Sequence, residues 1–290
     1  MKPLFPYFGG KRRAAPLVWE LLGDVTRYVE PFFGSGAVLL GNPRRPLSEL
    51  VNDRSHMVAN FWRALQCNPA EVERLASAPC SEVELRARAE WLSTTGAERL
   101  AELDWGDLFA CDVETGGIWL WHSCVAISGH GSQGDRGLHR SNHGMGIKAS
   151  SPASILSVAR RLSRVQVMCG DWSRCVTDAA LRGASWVDGG HGIFLDPPYG
   201  VGNGVAYDDE TGDTARDVWN WAIANGGNPK LRIVVAGYED GRTIPNGWQT
   251  IERVEKGGRA NVGDNPNRHR ERLWASPHCL RVATQPELFK

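Results

Sequence analysis

The sequence predicts an α/β protein built on an open, largely parallel sheet. Short runs rich in Val, Ile or Leu recur along the chain, and three of them end at once in loops that carry Gly, Pro or Asp. Parallel strands buried on both faces have this character, and ligands bind where their carboxyl ends meet. The predicted strands are residues 27–30, 49–52, 165–169, 192–195 and 231–236.

Helical stretches separate these runs and are expected to cover the sheet. The last of them is followed by two glycines, a common helix stop. The predicted helices are residues 11–22, 55–66 and 214–225.

The character of the chain changes over residues 67–149. Asn68-Pro69 and the capping box that begins at Ser81 predict helix starts, and four tryptophans add bulk without strand-like alternation. We therefore expect a catalytic domain of residues 1–66 and 150–290, interrupted by an inserted, mainly helical region over residues 67–149.

Composition narrows the class of protein. The chain has 33 basic and 33 acidic residues, so a nucleic-acid partner would have to be held by a local basic patch. Its seven cysteines are dispersed and form no C-x-x-C pair, which favours neither a disulfide framework nor a zinc ribbon. No long apolar run is present. These features predict a cytoplasmic protein with no metal site and no membrane partner.

The most specific motif is Asp196-Pro197-Pro198-Tyr199, which directly follows an apolar strand. The prolines stiffen the turn and carry no N–H, so neighbouring carbonyl oxygens are left to accept from a ligand amino group. Asp196 adds a carboxylate acceptor, and Tyr199 a flat ring. Acceptors on both hydrogens favour a pyramidal amino group whose lone pair points at an electrophile. A plain strand-to-loop turn is the alternative, but it explains the full quartet poorly.

A second motif leads from a strand into a glycine-rich turn. In Glu30-Pro31-Phe32-Phe33-Gly34-Ser35-Gly36, the two glycines allow the backbone to pass close to a ligand. Asp53 follows 19 residues after Gly34, a spacing suited to ribose hydroxyls. Asp171 and Trp172 follow a third strand, where they suit an adenine ring. For each of the two acids, capping of the next helix is an equal alternative.

Together these motifs resemble the Dam-like DNA adenine-N6 methyltransferases, in which the cofactor motif comes first and a target-recognition region separates it from the catalytic motif. The resemblance covers nearly the whole chain. Its marks are Pro6-Tyr7-Phe8-Gly9-Gly10-Lys11, the segment from Glu30 to Gly36, Asn52-Asp53, Gly170-Asp171-Trp172 and Asp196-Pro197-Pro198-Tyr199.

The resemblance implies a Rossmann-like methyltransferase sheet, S-adenosylmethionine as methyl donor, and an adenine flipped out of double-stranded DNA. Tyr199 is then expected to stack on that adenine, and Asp196 to lie between base and cofactor. The implied cofactor-site residues are Tyr7, Lys11, Glu30, Pro31, Phe32, Gly34, Gly36, Asp53, Asp171, Trp172 and Asp196.

DNA contacts are expected in the polar stretch of residues 127–148, which is too long for an ordinary connection. Residues 127–168 carry six basic residues and one acid, whereas residues 71–114 carry eleven acids and four basic residues. Arginine and asparagine read phosphates and base edges in fixed geometries. The candidate contacts are Arg136, His139, Arg140, Asn142 and His143. A flexible loop without a partner is the alternative.

Other functions stay open at this point. Methylation of glutamine usually goes with Asn in place of Asp196, and methylation of cytosine-N4 with Ser, so the aspartate favours adenine. RNA adenine is a further possible substrate, because the insertion is rich in aromatic residues. A catalytically silent DNA-binding relative is the non-enzymatic alternative. The modification half of a restriction system, an orphan bacterial regulator and a phage enzyme are all compatible with this function. Because no carboxylate cluster with nuclease-like spacing appears in the sequence, we expect a solitary enzyme.

Overall fold

The computed structural model describes residues 1–7, 11–126, 152–181, 190–198, 213–252 and 271–281. They fall into two compact units. The first contains residues 1–13, 33–41 and 49–175, and the second residues 14–32, 42–48 and 176–290.

The strands confirm the predicted α/β class. In the described parts of the chain they are β1 (Arg27–Glu30), β2 (Ser48–Asp53), β3 (Val165–Cys169), β4 (His191–Leu195), β5 (Leu231–Tyr238), β6 (Gln249–Glu252) and β7 (Glu271–Ala275). The sheet order is β3-β2-β1-β4-β5-β7-β6. All pairs recorded among β1 to β5 are parallel, and β7 runs antiparallel to both β5 and β6. In such an open sheet the order reverses between β1 and β4, which is where ligands bind.

The helices of the described residues are α1 (Ala15–Leu22), α2 (Ala37–Leu40), α3 (His56–Cys67), α4 (Pro69–Ala76), α5 (Glu82–Trp91), α6 (Ala97–Glu102), α7 (Val113–Val125), α8 (Pro152–Leu162), α9 (Asp178–Leu181) and α10 (Asp213–Asn225). The two helix starts predicted in the insertion are confirmed. Asn68 accepts from the amide of Glu71, and Ser81 accepts from the amide of Glu84. The division into catalytic and inserted domains stays a prediction.

An aromatic core and a close helix contact hold the first unit together. The ring of Phe5 lies 5.3 Å from that of Phe61 and 4.9 Å from that of Trp119. On α7, a Cβ at Gly116 would lie 2.7 Å from the Cβ of Ala64 on α3. Glycine inside a helix costs about 0.5–1 kcal/mol relative to alanine. Here the missing side chain of Gly116 allows α3 and α7 to approach closely.

A buried ion pair joins α8 to β2 within the first unit. The guanidinium of Arg161 donates to both carboxylate oxygens of Glu49, at 2.6 and 2.5 Å, and each side chain is only 5% exposed. Arg161 belongs to the basic segment in which DNA contacts were expected. Because its charge is buried and paired, this arginine cannot reach a phosphate.

In the second unit, β1, β4 and β5 are the parallel centre of the sheet. Tyr28 on β1 packs against Trp19 on α1, with ring centroids 4.6 Å apart. The unit is closed by the antiparallel strands β6 and β7. There the guanidinium of Arg242 lies 4.8 Å from the ring of Trp219 and 4.9 Å from that of Trp274.

The short helices α2 and α9 were not predicted, several bounds shift by one or two residues, and four elements differ more. Helix α1 begins at Ala15 instead of residue 11, because Pro16 lacks an N–H and is tolerated only in the first turn. Strands β6 and β7 and helix α8 were not predicted. The helical spacing of buried Ile155, Val158 and Leu162 could have revealed α8. None of the helices in the described residues is long and apolar enough to span a bilayer.

Candidate active site

The Gly-x-Gly turn follows β1 and is shaped by aromatic rings. Gly34 has φ +47° and Gly36 has φ +64°, the left-handed region that glycine adopts without strain. A Cβ at Gly34 would lie 2.8 Å from Cε1 of Tyr7, and a Cβ at Gly36 would lie 2.8 Å from Cζ of Phe33. Side chains larger than hydrogen therefore do not fit at either position.

Two side chains fix the peptide groups of Gly34. The carboxylate of Asp53 accepts from the Gly34 amide at 2.8 Å, and the indole Nε1 of Trp62 donates to the Gly34 carbonyl at 2.9 Å. The sequence pointed to Asp53 but not to Trp62. Trp62 comes from the middle of α3, 28 residues away along the chain, and only the fold brings its ring to the turn. The turn is thus held in place by its own unit.

Asp53 is buried at the carboxyl end of β2, with 9% of its surface exposed. Its second oxygen accepts from the Ser55 amide at 2.9 Å. Ser55, not Asp53, caps α3, so the capping alternative does not apply to Asp53. Burial raises the pKa of Asp53 to about 6, against the opposing effect of the amides of Ser55 and Gly34. Its carboxylate is therefore poised to gain or lose a proton just below neutral pH.

Tyr7 and Lys11 both belong to the first unit. Tyr7 is half-buried with its ring against Gly34, and its role in a cofactor site stays a prediction. Lys11 is 4% exposed, so its ammonium is a buried cation. Residues 8–10 of the same motif lie outside the described residues.

The carboxyl end of β3 carries the next pair of predicted residues. One oxygen of Asp171 accepts from the amide and hydroxyl of Ser173. Asp171 therefore caps the 3₁₀ turn that follows it, which is the alternative role considered for this acid. The other oxygen accepts no hydrogen bond from a described residue. Trp172 is half-buried beside it. The side-chain amide of Asn52 on β2 donates to the carbonyl of Gly170 at 3.0 Å, and this hydrogen bond connects the carboxyl end of β3 to β2.

In the second unit, the ends of β1 and β4 lie side by side. The strands are parallel, and Val29 pairs with Ile193. Pro31 and Phe32 therefore leave the sheet beside Asp196 and Pro197. Six of the predicted site residues lie at this edge. They are Glu30, Pro31, Phe32, Asp196, Pro197 and Pro198.

The environments of these residues differ. Glu30 is buried and accepts from the hydroxyl of Tyr28 at 2.9 Å, so its carboxylate helps to stabilise this edge of the sheet. Asp196 is half-buried and Pro197 buried. Tyr199, the last member of the quartet, lies outside the described residues. So do the five candidate DNA contacts, which are Arg136, His139, Arg140, Asn142 and His143.

The thiol of Cys169, which lies near the site, is not activated as a nucleophile. Burial raises the pKa of the Cys169 thiol to about 12, although Arg63 opposes the shift. A thiolate nucleophile at this strand end is therefore disfavoured. Within the described residues, no three His, Cys, Asp or Glu side chains are grouped as a metal ion requires.

A model of the family described as D12 class N6 adenine-specific DNA methyltransferases matches residues 7–95. The matched segment includes Tyr7, the Gly-x-Gly turn and Asp53, and it ends before Asp196. No curated protein matches the chain. The match confirms the resemblance over this segment, and it supports the prediction of an enzyme that methylates the N6 amino group of adenine in DNA.

Proposed function

We propose that this adenine-specific DNA methyltransferase transfers a methyl group from S-adenosylmethionine to an adenine flipped out of double-stranded DNA. The observation that carries the proposal is the position of two motifs at the reversal of strand order in the second unit. Pro31-Phe32 after β1 and Asp196-Pro197-Pro198 after β4 leave adjacent parallel strands at the same edge. Ligands of open α/β sheets bind at such an edge.

The chemistry of the side chains fits the proposed donor. S-adenosylmethionine carries a carboxylate, an ammonium group, ribose hydroxyls and an adenine. Lys11 offers a buried cation for the carboxylate, and Asp53 offers acceptor lone pairs for the hydroxyls. Asp171 has a carboxylate oxygen that is unused among the described residues, and Trp172 lies next to it. When bound, the sulfonium supplies an electrophilic methyl group.

Asp196 and its neighbours act on the adenine. The lone pair of the exocyclic nitrogen is delocalised into the ring, which makes it a poor nucleophile. Asp196 accepts one amino hydrogen, and a main-chain carbonyl next to the prolines accepts the other, so that the nitrogen can become pyramidal. Tyr199 stacks on the base and fixes its plane. The new N–C bond would form as the S–CH₃ bond of the donor breaks and leaves a neutral thioether, and the nitrogen loses a proton to Asp196 or through it to water.

Sequence recognition belongs to residues 67–149 in this proposal. Most charged side chains of the helices in this region are acidic and repel phosphate. Base and phosphate contacts are therefore assigned to the polar stretch that follows α7, with Arg136, His139, Arg140, Asn142 and His143 as candidates. The expected setting is the cytoplasm of a bacterium or of a phage-infected cell.

The proposal is tested by label transfer. Purified protein is incubated with tritiated S-adenosylmethionine and unmethylated plasmid, and the nucleic acid is digested to nucleosides. We expect label in N6-methyldeoxyadenosine. Label only in RNA, offered in a parallel reaction, would contradict DNA as substrate. Absence of label in both, with cofactor binding intact, would identify a catalytically silent relative.

The variant Asp196→Ala tests the catalytic assignment. It should abolish transfer and leave the fold intact, because an acceptor for the amino hydrogen is lost. Asp217→Ala is the matched control, since Asp217 is an exposed acid on α10 of the same unit. Rates near the wild-type value in Asp196→Ala would remove this carboxylate from the mechanism.

A further inference from the structure

Two cysteines that are far apart in the sequence meet in the first unit. Cys67 is the last residue of α3, and Cys111 lies in the connection between α6 and α7. Their thiols form a side-chain hydrogen bond with each other. Both thiols are free, and Cys67 is exposed whereas Cys111 is partly buried. The fold therefore places a pair of reduced sulfur atoms in contact at the surface of this unit.

Hydrogen bonds from α3 hold the backbone on both sides of Cys111. The side-chain amide of Asn60 donates to the carbonyl of Asp112 and accepts from its amide, both at 2.8 Å. Arg63 donates to the carbonyl of the residue that precedes Cys111, at 3.2 Å. Cys67 follows Arg63 by four positions, so the two side chains project from the same face of the helix. The contact between the thiols thus follows from the packing of this connection on α3.

The two thiols differ in access and in electrostatic environment. Burial, followed by the nearby Cys67 and then Asp112, raises the pKa of the Cys111 thiol to about 12, while the charge of Arg63 opposes the shift. Cys111 is therefore protonated at neutral pH. Cys67 is the more accessible of the pair, so a reaction with a molecule in solution starts there.

We propose that Cys67 and Cys111 form a reversible disulfide by exchange with a small disulfide such as oxidised glutathione. Neither cysteine belongs to the proposed active site, and the inference does not depend on the proposed function. Pairs of this kind in reducing compartments are transient or redox-sensing. The pair is therefore a modification site whose reagent is a low-molecular-weight disulfide.

The exchange has two steps. Cys67 loses its proton and attacks one sulfur of glutathione disulfide, whose S–S bond breaks, and one glutathione leaves and takes up a proton. Cys111 then loses its proton and attacks Sγ of Cys67, which displaces the second glutathione as a thiol. Two protein thiols and one small disulfide thus become one protein disulfide and two small thiols.

The surroundings of Cys111 favour the second step. Once Cys67 is joined to glutathione, its thiolate charge and its thiol hydrogen bond no longer raise the pKa of Cys111. The buried guanidinium of Arg63 remains and stabilises the thiolate that forms. Attack within the chain also proceeds at a high effective concentration, because the two sulfur atoms are already in contact. The adduct is therefore an intermediate and the protein disulfide the product.

Thiol trapping and peptide mapping test the proposal. The full wild-type chain is equilibrated in glutathione redox buffers, alkylated with iodoacetamide and digested without reduction. We expect two peptides joined through Cys67 and Cys111, which reduction separates. When both forms of glutathione are doubled at a fixed ratio, the ratio of crosslinked to reduced protein should halve, because each crosslink releases two thiols. A glutathione adduct releases one thiol, so its ratio should not change.

Single serine variants separate the roles of the two sulfur atoms. Cys111→Ser should retain a glutathione adduct on Cys67, because no second thiol displaces it. Cys67→Ser should form neither a crosslink nor an adduct on Cys111. Cys80→Ser is the matched control, since Cys80 is another partly buried cysteine of the same unit, and this variant should form the wild-type crosslink. The mapping of the wild type stands without any variant.

Three results would overturn the inference. One is the absence of the crosslink in the wild type, with or without an adduct on Cys67. Another is a crosslink that joins either cysteine to a different cysteine or to a second chain. The third is an equal loss of the crosslink in Cys80→Ser. None of these measurements uses methyl transfer, so they decide the inference independently of the proposed function.

Discussion

Replacing Asp53 with Asn should change how stability depends on pH. Burial raises the pKa of Asp53 from its ordinary 3.8 to about 6. Below pH 4 the residue is protonated in both the folded and the unfolded chain. As the pH rises towards 6, the unfolded chain releases this proton first, so the folded state loses stability over that interval. A shift of this size corresponds to roughly 3 kcal/mol, which is fully lost above pH 6.

Asparagine removes the titration but keeps the shape. Its amide oxygen can accept from one of the two amides that Asp53 now satisfies, while its NH₂ faces the other, which costs about 1–3 kcal/mol at every pH. The free energy of unfolding of both proteins is measured by urea titration from pH 4 to pH 8. The difference, wild type minus Asp53→Asn, should fall by roughly 2 kcal/mol as the pH rises from 4 to 7, because the unfolded carboxyl is already partly ionised at pH 4.

The comparison between the two proteins isolates this group, because all other titrating residues are common to both. A difference that stays constant across the range would refute the argument that Asp53 is a desolvated carboxylate. A difference that rises with pH would mean that the two amides outweigh burial and lower its pKa.

Two further predictions concern packing and charge. Gly34→Ala places a side chain in the left-handed region and against Tyr7, so it should cost about 1–2 kcal/mol and weaken cofactor binding in calorimetry. Gly227→Ala, where a Cβ meets nothing within 4 Å, is its control, and equal effects of the two changes would contradict the reasoning. Glu49→Gln leaves the charge of Arg161 buried and uncompensated, so urea unfolding should show a loss of about 3–5 kcal/mol. A loss below 1 kcal/mol would mean that water reaches this arginine.

The central strands could be predicted because their signal is local. The strands at 27–30 and 165–169 have the predicted bounds, since a short apolar run between loop residues is enough to define a buried parallel strand. Strands β6 and β7 were missed for a different reason. They form the antiparallel end of the sheet, with β6 at its edge, and polar or charged residues interrupt their apolar pattern.

The site was predictable in its motifs but not in its contacts. The sequence identified Asp53 and the Gly-x-Gly turn, yet not that the aspartate accepts from the turn itself. That hydrogen bond depends on how the ends of separate strands meet. Likewise, counting charges along the chain pointed to a basic segment that includes Arg161, which the fold buries.

The hold that Trp62 and Asp53 keep on Gly34 has a consequence for binding kinetics. Because both peptide groups of this residue are already engaged, the loop needs no search through conformations before a ligand docks. The turn loses its conformational entropy when the chain folds, so ligand binding at this turn requires no further loss of backbone entropy. Association at this turn should therefore follow a single concentration-dependent phase, without a slow rearrangement behind it.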